Sequence, residues 1–155
     1  MKYDILFTGD TFLQNREEGD FFSPSVKVLF STSRNVCINL ETTVGTGTDK
    51  VAKAFNFQAK PEALDTIKRD GVNVTSVANN HSLDYNISGF EETLRNLRER
   101  ELNIIGSISS NLFVDSKSNC CVSAYFGNGG GILRLTGWTL FWRIFELTKR
   151  TINML

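Results

Sequence analysis

One imidazole is available to the chemistry of this chain. His81 is the only histidine among 155 residues, and it sits in Ala78-Asn79-Asn80-His81-Ser82-Leu83-Asp84, directly after an apolar run at 72–77. An amide, an imidazole and a carboxylate thus follow a strand-like segment, the place where α/β proteins build their sites. Two more acids, Asp10 and Glu41, follow other strand-like runs. Two carboxylates, an amide oxygen and an imidazole nitrogen form a mixed oxygen and nitrogen ligand set. It suits Mn, Fe, Zn or Mg rather than Cu(I) or an iron-sulfur cluster. A pair of such ions would polarise a phosphoryl oxygen and generate hydroxide near neutral pH, as phosphoester hydrolysis requires. The histidine could protonate a leaving group or stabilise developing negative charge, and spacing leaves both roles open. A satisfied loop is the plain alternative, since Asn and Asp favour turns and histidine serves as a surface hydrogen-bonding group.

The elements that must position these residues alternate regularly up to about residue 108, which predicts a largely parallel sheet covered by helices. Strand one is expected over 3–8, closed by Gly9 and Asp10. Ser23 before Pro24 starts a helix whose Val26, Leu29 and Phe30 share one face. Residues 35–40 read as strand two, ending at Glu41, and 42–56 as a polar, glycine-bearing loop. Pro61 opens a helix with Leu64 and Ile67 on one side and Gly71 as its stop. Strand three is 72–77. Ser88 with Glu91 reads as a capping box, with Phe90, Leu94 and Leu97 as the apolar stripe of a helix running to about Arg100. Residues 103–108 form strand four. In a parallel sheet the strand ends share one edge, so Asp10, Glu41, Asn80 and His81 converge on one cleft.

Gly9-Asp10, Asn39-Leu40-Glu41-Thr42, Phe57-Gln58-Ala59-Lys60-Pro61-Glu62-Ala63-Leu64 and Ala78-Asn79-Asn80-His81-Ser82-Leu83-Asp84, in this order and spacing, closely resemble the CapA family of bacterial capsule synthesis proteins. The resemblance spans roughly residues 3 to 110. It implies a calcineurin-like metallophosphoesterase fold and a link to poly-γ-glutamate production. It also implies that Asp10, Glu41 and Asn80 are ligands of a divalent metal ion. His81 becomes the phosphate-facing acid, and Asp84 orients its imidazole or supports the loop. The chain departs from the family pattern at Tyr85-Asn86, where glycine is expected after the aromatic, although Asn also tolerates a left-handed backbone. A larger departure is that relatives complete a dimetal centre with later histidines, and none follows His81. The expected fold class is therefore α/β, a sheet of the metallophosphoesterase type amounting to about half a domain, with an irregular C-terminal tail.

Composition marks where that half ends. Residues 1–115 carry 12 basic and 16 acidic side chains, net −4, whereas 116–155 carry 5 basic and 1 acidic, net +4. Both tryptophans and two of the three cysteines also fall in the second part. The chain reads as 1–115, the N-terminal half of a CapA-like domain, and 116–155, a divergent tail. Such a switch is what translation in a shifted reading frame would produce. The glycines at 127–131 read as a flexible linker, lacking the Lys-Ser or Lys-Thr of a phosphate loop. Trp138, Phe141, Trp142 and Phe145 have the spacing of an interfacial amphipathic helix, or of a segment covering bare sheet surface. Cys37 reads as a small buried side chain, and Cys120-Cys121 lacks metal-ligand spacing.

A formal charge of zero gives no argument for nucleic acid. The first eight residues contain Lys2 and Asp4 and no apolar signal segment, so a cytoplasmic product is expected, although some members of the resembling family are membrane-associated. Two functions compete. One is a metal-dependent, hydrolase-like protein of capsule synthesis that acts on an anionic polymer or a phosphorylated small molecule, alongside other capsule synthesis proteins. The other is an inactive remnant or partner-binding half domain that self-associates through exposed sheet surface.

Overall fold

The computed structural model describes residues 3–16, 19–107, 109–110, 112–115, 120–127 and 130–137, the last two stretches as backbone. The elements run β1 (Tyr3–Thr11), α1 (Pro24–Ser31), β2 (Ser33–Leu40), β3 (Thr43–Val44), β4 (Gln58–Ala59), α2 (Glu62–Arg69), β5 (Val74–Ser76), α3 (Asn86–Glu99), β6 (Asn103–Ile105), β7 (Leu112–Asp115), β8 (Cys120–Gly127) and β9 (Gly130–Gly137). A four-stranded sheet in the order β1-β2-β5-β6 is parallel throughout. The molecule is a mixed α/β fold, as the alternation predicts.

Side chains alternate across this sheet. Val36, Ile38 and Leu40 of β2 and Ile104 of β6 join Phe30 of α1, Ala63, Leu64 and Ile67 of α2, and Leu94 and Leu97 of α3 in the main core. Cys37, Val74 and Ile105 face the other way and pack with Ile5, Phe7 and Phe113. All three helices thus feed one face, and β7 supplies an apolar side chain to the other. At the rim where the strands begin, Asn73 Oδ1 accepts from the Val36 N–H (2.8 Å) and Asn73 Nδ2 donates to Asn35 Oδ1 (2.9 Å), tying β5 to β2 in one register.

Several boundaries differ from expectation, each for a local reason. β1 continues through Asp10 to Thr11, because a register shift between Phe7 and Asp10 inserts one extra residue before Asp10 pairs with Asn39. Pro24 does begin α1, but Ser23 Oγ lies 3.0 Å from Ser25 Oγ and caps no backbone group. Leu29 is 48% exposed, at the margin of a short helix that packs through Phe30 and Val26. The helix after Pro61 stops at Gly71, whose φ is +112°, and the Val72 N–H returns to the Ile67 carbonyl (3.1 Å). The capping box at Ser88 and Glu91 is not formed: α3 starts at Asn86, with Ser88 in its first turn. The preceding motif already winds the chain, with Asp84 N–H bonded to His81 O (3.2 Å) and Asn86 N–H to Leu83 O (3.1 Å). Strands β5 and β6 are shorter than the apolar runs around them, and Gly106 at φ +91° ends β6.

The segment expected as a polar loop is partly core. Residues 42–45 are buried, and β3 pairs in parallel with β4. Threonine and asparagine serve here as internal hydrogen-bonding groups. Val44 N–H donates to Thr93 Oγ1 (2.8 Å), Asn96 Nδ2 to Val44 O (3.1 Å), and Leu13 N–H to Thr42 Oγ1 (3.0 Å). Of the glycines read as a linker, Gly127, Gly130 and Gly131 lie in paired strands, since β7, β8 and β9 form an antiparallel sheet with Gly127 opposite Gly130. The predicted aromatic helix around 138–145 lies outside the described residues.

Candidate active site

Three chain segments meet where β1, β2 and β5 end. The extra residue in β1 brings Asp10 into register with Asn39, on the face that carries Cys37 rather than the helices. Glu41 follows β2, its N–H donating to Thr11 O (3.1 Å). The Asn39 amide joins the two acids, with Nδ2 donating to Asp10 Oδ1 (2.8 Å) and to Glu41 Oε1 (3.0 Å). After β5, Asn79 Nδ2 donates to Asn39 Oδ1 (3.1 Å) and to Leu40 O (2.9 Å). Its Oδ1 accepts from His81 N–H (3.0 Å) and Ser82 Oγ (3.1 Å).

This network fixes which way both amides face. Leu40 O can only accept and His81 N–H can only donate, so Asn79 has one allowed orientation. Asn39 must then offer oxygen to Asn79 and nitrogen to the carboxylates. Asp10 and Glu41 are thus gathered at a single donor, a hydrogen-bond substitute for positive charge. Glu41 is nearly buried. Burial raises its pKa most, and the Asp10 charge raises it further, against opposing pulls from His81 and the Asn39 hydrogen bond.

The imidazole is held from its other side. His81 Nδ1 lies 2.9 Å from Asp84 Oδ2, which also accepts from the Phe57 N–H (2.7 Å). Asp84 is fully buried, and its Oδ1 is ion-paired with the Lys53 ammonium. Lys53 Nζ also donates to Asn80 O (3.0 Å), and Thr43 Oγ1 to His81 O (3.2 Å). Phe57 packs against the imidazole with centroids 4.6 Å apart, and Phe12 contributes a second ring at 6.0 Å. A carboxylate can only accept, so Nδ1 carries the proton in the neutral ring and Nε2 keeps its lone pair.

The structure therefore gathers Asp10, Glu41, His81 and Asp84. The Asn80 side chain is exposed, and the residue touches the site through its carbonyl. Sequence reasoning gave no role to Asn39, Asn79, Lys53 or Phe57. Asn39 had a signal, being two residues before Glu41 on the same side of one strand. Lys53 had none.

Two carboxylates held at one amide donor, one of them with its pKa raised by burial and then by its neighbour's charge, suit an oxygen-preferring dication, whose charge would relieve their repulsion. Among the described residues no group of three or more His, Cys, Asp or Glu is placed to hold a metal ion. The two carboxylates and their shared amide fit an oxygen-preferring ion in the chemistry of their donors.

Comparison with known proteins bears on this arrangement. A model of the bacterial capsule synthesis protein PGA_cap family matches residues 4–120. The chain is also 33% identical over 58 residues to the capsule biosynthesis protein CapA of Bacillus anthracis. That stretch is 37% of this chain and 14% of the relative, so the match covers a small part of the longer protein. With the family match extending over most of the chain and including every residue of the acid and imidazole network, the chain belongs to the bacterial capsule synthesis protein PGA_cap family.

Proposed function

We propose that this chain carries the acid and imidazole half of a metal-dependent, hydrolase-like site. It would act on a phosphorylated or acyl substrate in the synthesis or export of an anionic capsule polymer such as poly-γ-glutamate. One observation supports this most directly: a single amide joins Asp10 and Glu41, and His81 is near enough to act electrostatically on Glu41. Asp10 and Glu41 would hold a divalent ion (Mn, Fe, Zn or Mg), with Asn80 as a further oxygen donor. Bound there, such an ion supplies Lewis-acid polarisation of a phosphoryl or acyl oxygen. The chain's own part is positional. Asn39 keeps the carboxylates together, Asp84 presents His81 as the Nδ1–H tautomer, and Phe12 and Phe57 shield one side of the imidazole from water. Protonated at Nε2, His81 serves as the acid for a leaving oxygen.

Calorimetric titration with Mn, and hydrolysis of a generic phosphodiester, test the reading. Asp10→Ala is expected to remove metal uptake and His81→Ala to remove turnover. Absence of both uptake and turnover in the unaltered chain overturns it.

A second reading, a half domain that associates with another chain, is favoured by the exposed Val28 and Leu29 on α1. Sedimentation separates the two, since a stable monomer that binds Mn excludes the second. No helix among the described residues is long and apolar enough to cross a membrane.

A further inference from the structure

We propose that Lys53 is a positioning residue of this site: by pairing with Asp84 and bonding the Asn80 carbonyl, it locks His81 in the Nδ1–H tautomer and fixes the Asn80-His81 peptide. Its importance for chemistry rests on the functional reading above, but the positioning itself does not.

The argument starts from Asp84, which is shut off from water. A buried carboxylate is costly unless paired and hydrogen-bonded. Oδ2 has two donors, the Phe57 N–H and His81 Nδ1. Among the described residues, the cation at Oδ1 is Lys53. Removing that ammonium leaves a buried negative charge with no counter-ion. The cheapest relief is for Asp84 to turn toward water or to take up a proton, and either change ends its demand for a proton on Nδ1. The imidazole is then free to place its single proton on Nε2, and the ring is no longer held as the Nδ1–H tautomer. Lys53 also reaches the backbone oxygen of Asn80. One side chain on the loop between β3 and β4 thereby sets both the ring and the peptide that carries it.

A single histidine makes the test unambiguous, because the chain gives one set of imidazole signals. Two-bond proton–nitrogen correlation spectra of the 155-residue protein, recorded without metal at a pH where imidazole is neutral, distinguish the two tautomers. The unaltered chain is expected to show Nδ1–H alone. Lys53→Met is expected to shift the signals to a mixture dominated by Nε2–H, and Lys53→Arg to restore the original pattern. A Lys53→Met spectrum indistinguishable from the unaltered one overturns the proposal. Should Lys53→Met fail to fold, a through-bond correlation between Lys53 Nζ and the Asp84 carboxylate carbon in the unaltered chain replaces it, and absence of that correlation overturns the proposal equally. No metal or substrate enters these spectra. Failure of Mn uptake or hydrolysis therefore leaves the tautomer result standing, and failure of the tautomer result leaves uptake to be judged separately.

Discussion

Replacing Asn79 by alanine removes four hydrogen bonds at 2.9–3.1 Å from a residue that is 3% exposed. Ser82 Oγ keeps a second acceptor in Val77 O, so three groups lose a partner: Asn39 Oδ1, Leu40 O and His81 N–H. A buried polar group left unsatisfied costs about 1–3 kcal/mol. With some water entering the vacated space, the loss for Asn79→Ala is about 3 kcal/mol. Urea unfolding followed by circular dichroism measures it; at an m-value of about 2 kcal/mol per molar, the midpoint falls by about 1.5 M. Asn79→Asp discriminates further. The new carboxylate preserves shape but faces Leu40 O and Asn39 Oδ1 with an acceptor. Asn39 can satisfy it only by turning its own oxygen toward Asp10 and Glu41. The isosteric change is therefore expected to destabilise at least as much as truncation. A loss under about 0.5 kcal/mol for Asn79→Ala, set against the hydrogen-bond scale above, or Asn79→Asp milder than Asn79→Ala, would refute the assigned amide orientations.

Three other expectations follow from the same structure. Glu41 is raised by burial and by Asp10, so the folded chain holds its proton more tightly than the unfolded one; the stability this contributes is present at low pH and lost as pH rises through the raised value. In chelator, Glu41→Gln is expected to gain urea resistance over the parent at about pH 7 but not at about pH 4, and an equal effect at both contradicts the shift. A Cβ at Gly45 would collide with the Glu92 carboxylate, which accepts from Thr46 N–H and Oγ1; Gly45→Ala should cost about 1–2 kcal/mol alone and almost nothing beside Glu92→Ala, a coupling that a double-mutant cycle reads directly. Ile67→Ala, at a fully buried position, should cost about 2–5 kcal/mol, whereas Leu29→Ala should stay within about 0.5 kcal/mol in the same unfolding assay.

The broad architecture was legible because its determinants are local. Apolar periodicity at Val36, Ile38 and Leu40, the Pro61 and Gly71 punctuation, and the stripe of Leu94 and Leu97 each announce an element. What escaped depends on partners remote in sequence. Thr42 and Thr43 look polar, yet the fold spends the Thr42 hydroxyl on Leu13 N–H and that of Thr43 on His81 O. The Ser88 and Glu91 pair satisfies a capping pattern, but the turn begun at His81 had already supplied the helix start. At the site, Asp10, Glu41, His81 and Asp84 were identifiable from residue type and strand position. Asn39 showed only its place two residues before Glu41, and Lys53 showed nothing, because their roles are to orient other side chains. In the tail, the glycines were read for flexibility, although Asn128-Gly129 between two runs is also a hairpin signal.

The irregularity in β1 has a consequence for which kinds of genetic change this protein tolerates. Side chains on a strand point alternately up and down, so one surplus residue between Phe7 and Asp10 decides on which surface the acid emerges. Without the bulge the intact sequence would set Asp10 opposite Leu40, beneath the helices and in hydrocarbon, whereas deleting Gly9 would leave the acid two residues after Phe7, on the surface it already occupies. Loss of one residue at the bulge is therefore expected to spare the side on which the acid emerges, a tolerance that regularly paired strand positions lack.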